Sequence, residues 1–133
     1  MTGDELDLAK AARLRLVYIA GPYTAATAWQ RTRNVYRAQA LAQQVASLGL
    51  GIFPVCPHLM GLGFEDAREP AWWYEGTAEV MRRCDAVLAS RDWLRSKGAV
   101  AEVTEARRLG LPVTLDVDAL PGLLGLRSRE ASR

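Results

Sequence analysis

The chain has 133 residues, half of them apolar and 24% charged, with a formal net charge of +2. That length suits one domain with a real core and is short for two, and the balance is that of an ordinary folded protein rather than a disordered one. Lysine occurs only at positions 10 and 97, and the arginines are scattered in pairs instead of forming one basic run. A nucleic-acid-binding face is therefore not expected.

Residues 1–12 are polar and read as a leader. Residues 14–20, LRLVYIA, form a short apolar run rich in β-formers that stops at Gly21-Pro22, the pattern of a buried strand. After the loop GPYTAATAWQ, residues 31–49 place Val35, Ala38, Leu41, Ala42, Val45 and Leu48 on one helical stripe, with Gly49 as its stop. A second strand is expected at 50–55, with Pro54 marking where it leaves the sheet. Residues 56–70 read as a long loop holding Cys56, His58, two glycines and an acidic pair.

A helix follows at 71–84, interrupted by Gly76, then a strand at 85–90, a helix at 96–109 and a fourth strand at 111–117. Residues 118–126 suggest a short closing helix, and 127–133 a tail. Strands alternating with helices, and lacking polar alternation, predict one α/β domain over 13–126. It would be Rossmann-like or flavodoxin-like, with a parallel sheet of four to five strands flanked by helices. Ligands in such sheets bind beyond the carboxyl ends of the strands. That rule gathers the loops at 21–30, 56–70 and 91–98, where the unusual residues lie.

The helix expected from Ser96 carries Glu102 beside the small apolar stripe Ala99, Val103 and Ala106. A carboxylate there could be a base, a nucleophile or a hydroxyl anchor, or simply a first-turn acid favoured by the helix dipole. Ser96 and Gly98 fit either an anion-receiving helix start or an ordinary N-cap with a tolerated glycine. Gly21 lets a ligand lie against the main chain, and Tyr18 could turn its hydroxyl toward the same place or sit in the core. Trp72, Trp73 and Tyr74 could stack on a base or anchor a helix. With one histidine and two cysteines, Cys56, His58 and Cys84 would lack a fourth strong zinc ligand, so neither metal nor cofactor is expected. Reduced thiols and the lack of an 18-residue apolar run suit a cytoplasmic protein without a membrane span.

Together, VYIAGPYT, Asn34, CPHLM, the stretch GTAEVMRRCDAVL, and Ser96-x-Gly98-Ala99-x-x-Glu102 resemble the nucleoside 2-deoxyribosyltransferase-like superfamily, whose relatives include nucleotide N-glycosidases. The resemblance runs from about residue 16 to 114. It implies that Glu102 is the nucleophile that attacks C1′ and displaces the base, and that Tyr18 orients it. It also implies that Gly21, Pro22 and Tyr23 line the sugar or phosphate, that His58 lies beside the base, and that Ser96 and Gly98 receive the 5′ end. A serine at 96 points to a nucleotide over a nucleoside, and a homodimer is implied.

One position departs from the pattern. Relatives carry an Asp in the helix before CDAVL, where this chain has Thr77; Asp92 or Glu75 would have to stand in. General acid help is worth ~100–10,000-fold. Two readings therefore stay open: an N-glycosidase or deoxyribosyltransferase acting on a nucleoside 5′-monophosphate or nucleoside, and a non-catalytic nucleotide-binding or sensing protein of the same fold.

Overall fold

The computed structural model describes residues 2–3, 13–49 and 51–126. The 127–133 tail and nearly all of the 1–12 leader lie outside the described residues. Four strands, β1 (Arg15–Ala20), β2 (Ile52–Val55), β3 (Ala86–Ala89) and β4 (Val113–Thr114), form one parallel sheet in the order β2-β1-β3-β4. Helices accompany them at α1 (Ala28–Ser47), α2 (Pro70–Arg82), α3 (Lys97–Arg108) and the single turn α4 (Leu120–Leu123). The α/β fold, with a parallel sheet covered on both faces, is as the alternation of elements predicts. Among the described residues no helix is long and apolar enough to cross a membrane.

The period-two geometry of β1 divides the core in two. Val17 and Ile19 face Ala38 and Val45 of α1, together with Leu120 of α4. Tyr18 and Ala20 face Met81 of α2 and Val103 and Ala106 of α3. Chain direction explains the split. From β1 the chain steps outward to β2, and from β2 it steps back across β1 to β3. With crossovers of one hand, that reversal puts α1 and α2 on opposite faces. It also leaves a crevice beyond the carboxyl ends of β1 and β3, where α/β sheets bind ligands.

Several boundaries differ from those expected, for local reasons. Helix α1 starts three residues before Arg31 because the Thr27 side chain accepts the Gln30 N–H at 3.1 Å and caps it. Pro70 opens α2, where its missing N–H costs nothing, and Gly76 does not break the helix. Asp85, expected in the third strand, precedes it and anchors the start of β1: its carboxylate accepts the Leu16 N–H at 2.8 Å and pairs with Arg13 at 2.6 Å. Strand β4 has two residues rather than seven. Leu111 N–H closes the end of α3 on Ala106 O, and on the far side Asp116 N–H turns back to the Thr114 hydroxyl. Pro54 pairs with Val17 within β2, which is tolerated because β2 lies at the sheet edge.

Candidate functional site

A cleft of about 640 Å³, counting its open mouth, lies at that crevice. Tyr18, Gly21, Tyr23, Pro57, His58, Gly61, Glu65, Trp73, Tyr74, Thr77 and Glu102 line it. Four segments thus contribute: the end of β1, the loop after β2, α2 and α3.

Tyr18 points to the α2/α3 side of the sheet because its neighbours Val17 and Ile19 point to the other. On α3, Ser96 caps the first turn by accepting the Ala99 N–H at 3.1 Å. The stripe Ala99, Val103 and Ala106 then docks on the sheet, and Glu102 lies at its margin, toward the cleft. The two meet: the Tyr18 hydroxyl donates a hydrogen bond to Glu102 Oε2. Burial raises the Glu102 carboxyl from its ordinary 4.5 to about 7, while the bond from Tyr18 acts in the opposite direction. The phenol is driven far up, first by burial and then by the neighbouring carboxylate, so at any working pH Tyr18 keeps its proton and serves as donor. Near neutrality Glu102 is divided between acid and carboxylate, and the carboxylate is the form that can attack an electrophilic carbon.

Around this pair the cleft is aromatic. Trp73 packs edge-on to Trp72 at 4.8 Å and against Phe64 at 5.2 Å, and its indole N–H donates to Glu65 O at 3.0 Å. Gly61 makes this packing possible, since a Cβ there would fall 2.9 Å from the Trp73 ring. The Gly21 loop is tied down on two sides. His58 Nε2 lies 3.1 Å from both the Gly21 and Pro22 carbonyls, so it carries the proton and donates to them. Asn34 Nδ2 donates to Tyr23 O at 3.2 Å. Burial lowers the His58 pKa, keeping the ring neutral, and its role here is to clamp the loop. A Cβ on Gly21 would come 2.7 Å from Ser90 Oγ, so the glycine lets the loop pack closely against that side chain.

Of the residues expected in the site, Tyr18, Gly21, Tyr23, His58 and Glu102 lie together on the cleft. Pro22 does not line it: its carbonyl is held by His58, and the residue lies on the α1 side of the loop. Gly98 stands behind the Tyr74 ring, 3.8 Å from where a Cβ would sit, and Ser96 spends its side chain on the cap. Asp92 does not line the cleft. Its carboxylate pairs with Arg37 at 2.9 Å and accepts the Ser90 hydroxyl at 2.7 Å on the α1 side of the Gly21 loop. Glu75 is exposed on α2 and is absent from the lining too. Thr77 does line the cleft, with its hydroxyl donated to Trp73 O at 3.0 Å. The acid that does reach the cleft is Glu65. Its place in an irregular loop gives no periodicity to read, and only the acidic pair 65–66 hinted at it.

A family model described as a domain of unknown function, DUF7768, matches residues 15–116. No curated protein matches. Among solved structures, the chain is similar to a conserved protein from Enterococcus faecalis V583, at 18% identity and a TM-score of 0.62, covering 75% of this chain and 61% of that one. The chain thus spans about three fifths of that protein's length. It is also similar to a 2-deoxyribosyltransferase from Bacillus psychrosaccharolyticus, at 17% identity and a TM-score of 0.51, covering 74% and 69%. Both likenesses are of fold.

Proposed function

The chain belongs to the DUF7768 family of unknown function, and from that premise we propose that it cleaves or transfers at the N-glycosidic bond of a nucleoside or nucleoside 5′-monophosphate. The observation that carries this reading is the Tyr18–Glu102 hydrogen bond at the floor of an aromatic cleft. The fold shared with a 2-deoxyribosyltransferase supports it.

The chemistry follows from the geometry. Breaking a glycosidic bond passes through an oxocarbenium-like state, which a carboxylate at C1′ stabilises and can trap as a glycosyl ester. Tyr18 holds one oxygen of Glu102 and leaves the other for C1′. Trp73, Tyr74 and Tyr23 offer ring faces and edges to the heterocycle. Water or a second base then captures the sugar, and a second copy of the chain is the expected partner in a homodimer.

The deciding experiment incubates the protein with a panel of nucleosides and their 5′-monophosphates and follows free base by chromatography. Release by the wild type and its loss in Glu102→Gln, with the fold retained by circular dichroism, is the expected result. Release that survives in Glu102→Gln removes this carboxylate from the mechanism. Thr77 in place of an acid favours a second reading, a nucleotide-binding protein without turnover; ligand-induced thermal stabilisation with no base released would select it.

A further inference from the structure

The charges and proton donors of the cleft are one-sided. Its lining among the described residues includes two carboxylates, Glu65 and Glu102, and no Lys or Arg. Glu65's own backbone N–H and then the Gly63 N–H, which donates to Glu65 Oε1 at 3.1 Å, hold the Glu65 carboxyl below its ordinary value, with a smaller pull from Arg31 outside that lining. These contacts keep Glu65 ionised, so it holds no proton to give. Neither of the other groups expected near a base is a good acid. His58 commits its N–H to two carbonyls and stays neutral, and the Thr77 hydroxyl is taken up by the helix backbone and the Tyr18 hydroxyl. Tyr18 spends its proton on Glu102. Tyr23 and Tyr74 add phenols to the lining. A neutral heterocycle leaving C1′ takes the bond's electron pair and needs a proton or strong hydrogen bonds to do so. This cleft is poorly equipped to supply them, while its ring faces and two carboxylates are what attracts a cation.

Resting on the glycosidic reading above, we infer that the heterocycle removed by this protein is itself cationic: an N-ribosylated pyridinium or N-alkylated purine. In that reaction a Glu102 oxygen bonds to C1′ and the C1′–N bond breaks, its electron pair moving onto the ring nitrogen. The positive charge is thereby cancelled, and the base departs neutral without receiving a proton. Water next attacks C1′ of the glycosyl ester, restoring the Glu102 carboxylate and passing its proton to solvent. Thr77 is then a consequence of substrate choice, because no leaving-group acid is required.

The test uses N-ribosylnicotinamide and its 5′-monophosphate as cationic probes, with uridine, 2′-deoxyuridine and adenosine as neutral ones, on wild type, Glu102→Gln and Glu65→Gln. At least one cationic probe should exceed every neutral one by about 100-fold or more in kcat/KM, the low end of what acid help supplies, and its cleavage should disappear in Glu102→Gln. The intrinsic lability of pyridinium glycosides is identical in every variant, so recognition of charge is read from Glu65→Gln. It should lower the cation-to-uridine ratio by about fivefold, as loss of an exposed charge pair does. Neutral nucleosides cleaved as fast in a Glu102-dependent way, or a ratio unchanged by Glu65→Gln, would overturn the inference and leave the glycosidic reading standing. No release from any probe would end both.

Discussion

Glu102 sets the pH behaviour of the molecule at the scale of a single residue. Its carboxyl titrates at about 7 in the folded chain against 4.5 ordinarily, because burial opposes the charge. A group that binds its proton more tightly when folded contributes stability that is complete below about pH 4.5 and is lost as pH rises through about 7. The full loss corresponds to about 3 kcal/mol. Glu102→Gln removes this titration, so the variant should gain on the wild type between pH 5 and pH 8, by up to that amount, in paired urea melts. A stability difference that stays flat across that range would mean the carboxyl is not desolvated. Both members of the central pair stood out in the chain as candidates, Tyr18 by its place before Gly21-Pro22 and Glu102 by a small-residue stripe at a helix start, but only the family resemblance implied that they pair. Glu65 and Gly61 were not, because a loop carries no period and their positions depend on where Trp73 packs.

At the scale of elements, the start of β1 depends on a residue 69 positions away. Asp85 Oδ2 accepts the Leu16 N–H, and Arg13 closes on both carboxylate oxygens. Burial by itself would raise the Asp85 pKa, but the bonds from Arg13 and Leu16 outweigh it and the net displacement is downward. Truncation in Asp85→Ala leaves the part-buried Leu16 N–H without that acceptor and should cost about 1–3 kcal/mol, read as a lower urea midpoint at unchanged slope. By contrast, a midpoint equal to the wild type's would show that water replaces the carboxylate freely. The carboxylate's contribution is present above the ordinary Asp value of 3.8 and fades as pH falls through the depressed one. Strands and helices were readable because hydrophobic period and Gly or Pro punctuation are local. Their ends were less so: Thr27 lengthens α1 by a cap, and β4 is cut to two residues by turns on both sides.

For the whole molecule, core and site share a residue. Tyr18 is fully buried in the cluster with Met81, Val87 and Val103, yet its hydroxyl reaches Glu102 at the cleft. The ring and the hydroxyl should therefore separate on mutation. Tyr18→Ala removes packing from the sheet centre and should cost about 3–5 kcal/mol, much of the ~5–15 kcal/mol that holds a domain folded. Tyr18→Phe keeps the ring and removes only the donor that holds the Glu102 pKa down. Its thermal midpoint should stay near the wild type's, while the acid limb of kcat/KM, set by Glu102 ionisation, moves to higher pH. If the phenylalanine variant loses activity equally at every pH, the phenol positions substrate instead of tuning the carboxylate. An acid limb that moves downward would contradict the hydrogen bond itself. Either result is read against one fact of the topology: the reversal between β1 and β3 opens the cleft where the central strand ends, so a residue fully buried in the sheet also reaches the cleft.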